Sequence, residues 1–289
     1  MEEGEYLEWL SAYTDPAKAM KAFRSQKRYF RVNTLKISLD GFREKSKLKA
    51  AQSVHYDHAF EFQERFQIGR TWEYFLGLIH PQSLPSILVS LVLGPEPGET
   101  VLDVAAAPGS KLSHMAALME NKGVLVGNDL KKEKISAIYA TINRLNLLNT
   151  IVTDLDGSRL PWKERFEKVL LDAPCTALGS GAAASSRWEP ENSEKISVLQ
   201  KRMMANAYDA LKPGGTLVYS TCTYAKEENE DVVKTLLESE SGAKLEGISL
   251  DVPHERGLSD YGKEFAKVFR VYPQHLQSEG FFMAKIRKG

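Results

Sequence analysis

Cysteine is scarce in this chain. Among its 289 residues there are two cysteines, Cys175 and Cys222, too few for a disulfide framework. No Cys/His cluster has the spacing of a zinc site, so no metal is expected. Long apolar runs are missing too, since none approaches the roughly 20 residues that a membrane helix needs. The opening MEEGEYLEWL is acidic and lacks the basic and apolar regions of a secretory leader. Charge of one sign is also lacking, because 38 Lys and Arg balance 38 Asp and Glu. These absences set aside secreted disulfide scaffolds, zinc modules and membrane proteins, and the expected setting is the reducing cytoplasm. Scarcity makes position matter. Each cysteine sits just past an apolar run, in KVLLDAPC (168–175) and GTLVYSTC (215–222).

What is present falls into two blocks. Hydrophobic residues make up 43% of the chain, ample for a core. Residues 1–95 mix helical patterns with short strands such as YFRVNTLKI (29–37) and end near LGPEPGE (93–99), where Pro and Gly break regular structure. Residues 96–289 alternate. TVLDVAA (100–106), GVLVGND (123–129), NTIVTDL (149–155), KVLLDAP (168–174) and GTLVYSTC read as buried strands. Helices are predicted to begin near Ser110, Lys131, Glu191 and Lys226. This alternation implies an α/β fold with an open parallel sheet covered on both faces.

The first block carries a local charge bias. Between Pro16 and Ala50 there are eleven Lys or Arg and two acids, with Phe23, Tyr29, Phe30 and Phe42 interleaved. A basic surface with stacking residues is the pattern of a phosphate-binding face, and RNA is the polyanion expected there. Lys21, Arg24, Lys27 and Arg28 are the expected phosphate contacts.

In open α/β sheets the ligand sits beyond the carboxyl ends of the strands. Asp103, Asp129, Asp154 and Asp172 all fall on that rim, as do both cysteines. The turn after the first strand, Ala105, Ala106, Ala107, Pro108, Gly109, Ser110 and Lys111, holds one glycine where a dinucleotide loop has three. An acidic rim repels phosphate and suits a phosphate-free nucleoside. Asp129 is expected on the ribose hydroxyls and Asp154 on the adenine amino group. S-adenosylmethionine, with its sulfonium and amino cations, is the cofactor that fits.

The motifs DVAAAPGSK, ND (128–129), TD (153–154), LDAPC (171–175) and STCTYAKEENE (220–230), with the closing RVYPQHLQSEGFFMAKIRK (270–288), resemble in order and spacing the Nop/Sun family of RNA cytosine-5 methyltransferases. The resemblance runs from about residue 28 to the end and is most like the short archaeal-type tRNA enzymes. It implies a Rossmann-like class I methyltransferase sheet behind a small α+β N-terminal RNA-binding subdomain. RVNTLK (31–36) resembles a strand of that subdomain, which puts Arg31 and Asn33 among the expected RNA contacts. There are departures. Ser110 stands where the family usually has a second glycine, Leu112 where Thr is common, and Thr176-Ala177 where Ser-Gly is usual. The loop GSGAAASSRW (179–188) is unusually rich in small residues.

The resemblance also assigns the chemistry. Carbon 5 of cytosine is a poor nucleophile until a thiolate adds at carbon 6. Cys222 is the implied nucleophile, Asp172 the group on ring nitrogen 3, and Cys175 the residue that assists removal of the carbon 5 proton. A free thiol is only about 3% thiolate at pH 7, so activation is expected from Lys111 and from the helix starting near Lys226. His80 is expected to be structural, near the cofactor pocket. The implied function is methylation of tRNA by a monomer. The alternatives are the same chemistry on ribosomal RNA and a catalytically silent RNA-binding protein. A DNA-directed relative would leave STC at 220–222 unexplained.

Overall fold

The computed structural model describes residues 3–64, 67–180 and 189–289. From residue 181 onward the small-residue loop expected to face RNA lies outside the described residues. Two helices open the chain, α1 (Glu3–Ser11) and α2 (Pro16–Arg24). Asp15 caps α2 by accepting from the Ala17 and Lys18 amides, and Pro16 presets its first turn. Lys21 and Arg24 occupy the last turn, where the helix dipole favours cations. Tyr6, Leu10 and Ala19 are buried against Leu178, Tyr224 and Tyr272, so both helices dock on the later half of the chain.

A four-stranded antiparallel sheet follows, formed by β1 (Tyr29–Val32), β2 (Ala50–Gln52), β3 (Ala59–Phe62) and β4 (Ile79–Pro81) in the order β2-β3-β1-β4. Helices α3 (Leu39–Lys45) and α4 (Trp72–Phe75) accompany it. The aromatics expected to stack on RNA do other work. Phe30, Phe42 and Phe60 are buried as the core of this sheet, Tyr29 is buried too, and Phe23 packs beside α1.

Arg31 and Asn33 also depart from expectation. Arg31 is 1% exposed and donates to Gln82 Oε1 (3.4 Å) and Ser113 Oγ (2.9 Å). Asn33 Nδ2 donates to the carbonyls of Gly77 and Leu145, both at 2.9 Å. Buried polar groups require partners, and these two find theirs across the seam between the sheets. Through Ser113 and Leu145 they fasten the small sheet to the later part of the chain, and both side chains are buried.

Helix α5 (Leu84–Leu93) is apolar on nearly every side and correspondingly buried. Its Leu84, Ile87 and Leu88 share a core with Val101, Leu125 and Leu170 of the larger sheet. The division expected near residue 95 thus falls just after a helix that already packs on that sheet.

The larger sheet has nine strands. Strands β5 (Thr100–Asp103), β6 (Val124–Asn128), β7 (Thr150–Thr153), β8 (Phe166–Asp172) and β9 (Leu211–Thr221) are parallel, in the order β7-β6-β5-β8-β9. The last four are β10 (Ala243–Glu246), β11 (Glu255–Arg256), β12 (Phe269–Val271) and β13 (Phe281–Lys288), of which β13 runs antiparallel to β9. Helices α6 (Ser110–Leu118), α7 (Lys132–Leu145), α8 (Pro190–Ala210), α9 (Glu230–Ser239) and α10 (Pro273–Leu276) complete the Rossmann-like α/β fold. Three helices begin where the sequence predicts. Near Lys226 there is only a 3-10 turn, Lys226–Glu228, and the α-helix starts at Glu230. There a buried Arg270–Glu230 ion pair anchors it to β12. Strand order reverses between β5 and β8, and a crevice opens beyond their carboxyl ends.

Candidate active site

Strands β8 and β9 deliver Asp172 and Ser220 side by side, because the two residues are partners in the parallel register. Ser220 Oγ donates to Asp172 Oδ1 at 2.7 Å, and Lys111 Nζ lies 2.7 Å from Asp172 Oδ2. Both carboxylate oxygens are therefore held. Burial opposes the charge on Lys111, but the Asp172 carboxylate outweighs it and leaves the ammonium above its ordinary value. Phe281 presents its ring to the same ammonium, 5.2 Å from the centroid.

Lys111 is aimed by the turn before α6. Gly109 adopts φ +102°, and a Cβ there would come within 3.1 Å of Thr141, so backbone and space both favour glycine. Thr141 Oγ1 donates to Pro108 O (2.9 Å), the Ala106 amide to Asn128 O (2.7 Å), and the Ala107 amide to Asp129 Oδ2 (3.2 Å). Ser110 faces away from the crevice and meets His80 Nε2 at 2.9 Å. Burial, reinforced by Arg31 and Arg144, pulls His80 down to about 3, which keeps its ring neutral and structural.

The two cysteines meet. Cys175 Sγ lies 3.2 Å from Cys222 Sγ, and both side chains are half-buried. Gly179 donates its amide to Cys222 O (2.8 Å), and a Cβ on it would come within 2.5 Å of Gly280 O. Ala177 sits at φ +58°, left-handed backbone that favours glycine. That is the position where the resembled family usually has one. The expected lowering of the Cys222 thiol is not found. Its hydrogen bond with Cys175 pushes it well above the ordinary value, as do burial and the charges of Asp172 and Glu279. Lys111 is committed to Asp172, and the turn at Lys226 is too short to act as a helix N-terminus.

A cleft of about 480 Å³ opens beside the thiols, lined by Ala105, Ala107, Asp129, Asp156, Asp172 and both cysteines, among others. Ala106, Pro108, Gly109, Ser110 and Lys111 are not part of this lining. Asp154 is not part of the lining. Its side chain is 54% exposed and lies 3.8 Å from Lys132 Nζ. Asp156 takes the place in the cleft, with the Ser158 amide (2.9 Å) and hydroxyl (2.8 Å) holding its carboxyl below the ordinary range. Asp103 is fully buried at the end of β5, outside the lining, with Oδ1 unpartnered. Burial, then the neighbouring Asp172, pushes it up to about 8. Among the described residues no cluster of three His, Cys, Asp or Glu side chains could hold a metal ion.

Of the basic residues expected to contact RNA, Lys21, Arg24 and Arg28 are exposed, while Lys27 pairs with Glu61 at 2.9 Å. The preceding helix α1 touches the loop after Cys175, where Tyr6 OH donates to Leu178 O at 3.2 Å. Sequence reasoning missed Ser220, Asp156, Glu279 and Phe281. Ser220 was recoverable, because two residues before Cys222 on a strand means the same face. Asp156 stands two residues past Asp154 in the same stretch, TDLDG. Glu279 and Phe281 arrive only through the antiparallel return of β13.

Comparison with known proteins places this geometry. Residues 90–287 match the family model described as 16S rRNA methyltransferase RsmB/F. The tRNA (cytosine(49)-C(5))-methyltransferase of Pyrococcus abyssi is 38% identical over 271 residues, covering 89% of this chain and 87% of that one. Ribosomal RNA small subunit methyltransferase F of Pectobacterium carotovorum is 37% identical over 92% of this chain, which spans 57% of that relative's length. Among solved structures, a methyltransferase homolog protein from Pyrococcus horikoshii superposes with a TM-score of 0.84 at 31% identity over all of both chains. NSun6 from Pyrococcus horikoshii with SFG gives 0.87 at 27% identity, over 98% of this chain and 97% of the other. The chain belongs to the RsmB/F family of RNA methyltransferases, which the sequence motifs resemble.

Proposed function

We propose that the protein is an S-adenosylmethionine-dependent RNA cytosine-5 methyltransferase, acting on tRNA as a monomer in the cytoplasm. The observation that carries this reading is the pair of thiols in contact, 3.2 Å apart, beside a carboxylate clamped by Lys111 and Ser220. One thiol serves to form a bond to the base and the other to help break it. The near-full coverage of the Pyrococcus abyssi tRNA enzyme supports tRNA as substrate.

The cleft fits the cofactor. Its acids suit a molecule with cationic ends and no phosphate, and the unpartnered Asp103 Oδ1 offers a buried acceptor to an amino group. Asp129, Asp156 and the backbone of 105–107 would hold it, and bound there it supplies an electrophilic methyl group. The protein's own groups do the rest. Cys222, its proton lost to water in the open cleft, adds through Sγ to carbon 6 of the cytosine ring. Nitrogen 3 takes a proton from the Lys111–Asp172 pair, which leaves carbon 5 electron-rich. Once carbon 5 is methylated, Cys175, its own thiol proton already released to water, takes the remaining proton from carbon 5. The C–H electron pair becomes the C5=C6 double bond, the C6–S bond breaks with its electrons returning to Cys222, and nitrogen 3 gives its proton back to the Lys111–Asp172 pair.

The test is direct. The purified protein is incubated with total RNA and S-adenosylmethionine, and 5-methylcytosine is mapped by bisulfite sequencing. New 5-methylcytosine confined to tRNA is expected. Marks confined to small-subunit ribosomal RNA would replace the substrate, and no mark in any RNA would overturn the reading.

A further inference from the structure

One buried acid near the thiols has no part in the mechanism above. Glu228, in the 3-10 turn Lys226–Glu228, is fully buried, and the side chains that donate to it are all neutral. Burial pushes its carboxyl above the ordinary value, against the pull of its donors. Those donors are notable for where they come from. Oε2 accepts the Thr176 amide (3.0 Å) and Gln200 Nε2 (3.1 Å), and Gln200 also donates to Pro174 O (2.9 Å). Oε1 accepts the Thr176 hydroxyl and Ser193 Oγ (2.9 Å), with Thr223 Oγ1 at 3.5 Å. The two threonine hydroxyls also meet each other at 3.1 Å. Glu228 thus grips the residue after Cys175 directly, the residue before it through Gln200, and the residue after Cys222.

We propose that Glu228 is a positioning residue that holds the Cys175 loop against Cys222, and that it governs the release step more than the attack. The inference rests on the methyltransferase reading above. The asymmetry follows from how each thiol is held. Cys222 comes directly off the end of β9, and the last residue of that strand, Thr221, is paired with Phe282 of β13. Hydrogen bonds of the sheet fix it whether or not Glu228 is present. Cys175 lies in a loop beyond β8, and the amide and hydroxyl of the next residue both end on Glu228. Removing the carboxylate strands buried donors on that loop. The expected fault is a Cys175 too loosely placed to take the carbon 5 proton, with Cys222 still able to attack.

The substitutions grade accordingly. Glu228→Ala removes every acceptor. Glu228→Gln keeps an oxygen for the two N–H donors and turns an amide toward hydroxyls that can rotate to accept. Thr176→Val removes one hydroxyl tie and preserves the side-chain shape, so it tests the same loop if Glu228→Ala does not fold. Each variant, with wild type and Cys175→Ala alongside, is incubated with substrate RNA and S-adenosylmethionine. The fraction of protein covalently bound to RNA is read on a denaturing gel, and turnover and a cooperative melt are recorded.

Turnover of Glu228→Ala should fall about tenfold or more, with accumulation of a nuclease-sensitive protein–RNA adduct like that of Cys175→Ala. Glu228→Gln should recover most of the turnover, and Thr176→Val should accumulate some adduct. If Cys175→Ala traps RNA while Glu228→Ala and Thr176→Val leave no adduct, the positioning role is overturned, whether turnover is normal or lost. If Cys175→Ala itself traps nothing, the covalent mechanism has failed and the inference falls with it.

Discussion

Lys111 Nζ lies 2.7 Å from Asp172 Oδ2, and the pair is mostly screened from solvent by the cofactor turn and Phe281. A carboxylate so held keeps a fixed position at the cleft. Lys111→Met leaves Asp172 with Ser220 alone. Loss of a charged hydrogen bond costs about 1.5–3 kcal/mol, so single-turnover methylation should slow roughly 10- to 100-fold. Lys111 does not line the cleft, so cofactor affinity should change far less than rate. Single-turnover rates within threefold of wild type would remove Lys111 from the chemistry.

The two acids of TDLDG should separate cleanly in a cofactor titration. Asp156 lines the cleft, whereas Asp154 lies in solvent near Lys132. Asp156→Ala and Asp129→Ala should each weaken S-adenosylmethionine binding more than tenfold, as loss of a charged acceptor costs about 1.5–3 kcal/mol. Asp154→Ala should leave it within about twofold, the ordinary range for an exposed substitution. Calorimetry with the order reversed would return the adenine-facing role to Asp154.

Basic residues divide the same way. Lys21, Arg24 and Arg28 are exposed, while Arg31 is locked onto Ser113 and Gln82. Reversing charge at Lys21, Arg24 and Arg28 should weaken RNA binding and flatten its salt dependence, since fewer counterions are released. Cofactor binding and melting temperature should hold. Arg31→Ala should instead lower the melting temperature, with two buried polar partners left unmatched. Filter binding that shows unchanged RNA affinity for the triple variant would leave that face without a role.

Asp103 provides a pH test of the site's electrostatics. Its folded value of about 8 stands above the ordinary 3.8, raised by burial and by Asp172. The folded protein therefore binds an extra proton between those values. The associated stability is fully present below about pH 4 and is lost as pH rises through about 8. Asp103→Asn cannot ionise, so its melting temperature relative to wild type should climb across that window. A difference that stays flat from pH 4.5 to 8.5 would contradict the burial of an ionisable group there.

Much of this was legible in the residues themselves. Five apolar runs ending in acids or cysteines announced the parallel sheet and its functional rim, because strand ends on one edge are brought together by topology alone. Asp172, Cys175, Cys222 and Lys111 could be named before any coordinates. What could not be read were contacts made by distant returns of the chain. Phe281 and Glu279 reach the site through β13, and the fastening of Arg31 to Ser113 depends on how the two sheets abut. The basic run misled for a related reason. Charge density along the chain does not reveal which aromatics turn inward, and Phe30 and Phe42 turn inward to build a core. The state of Cys222 was also out of reach, since it depends on a neighbour 47 positions away that lies in contact with it.

The most direct test of the covalent mechanism is a denaturing gel of the two cysteine variants after incubation with substrate RNA and S-adenosylmethionine. Cys175→Ala should retain attack and methyl transfer but fail at release, giving a slow-migrating species that disappears on nuclease treatment. Cys222→Ala should give neither adduct nor methylation. The opposite pattern, with Cys222→Ala trapped and Cys175→Ala free, would exchange the roles of the two thiols. Two active variants with no trapped RNA would contradict the covalent mechanism altogether.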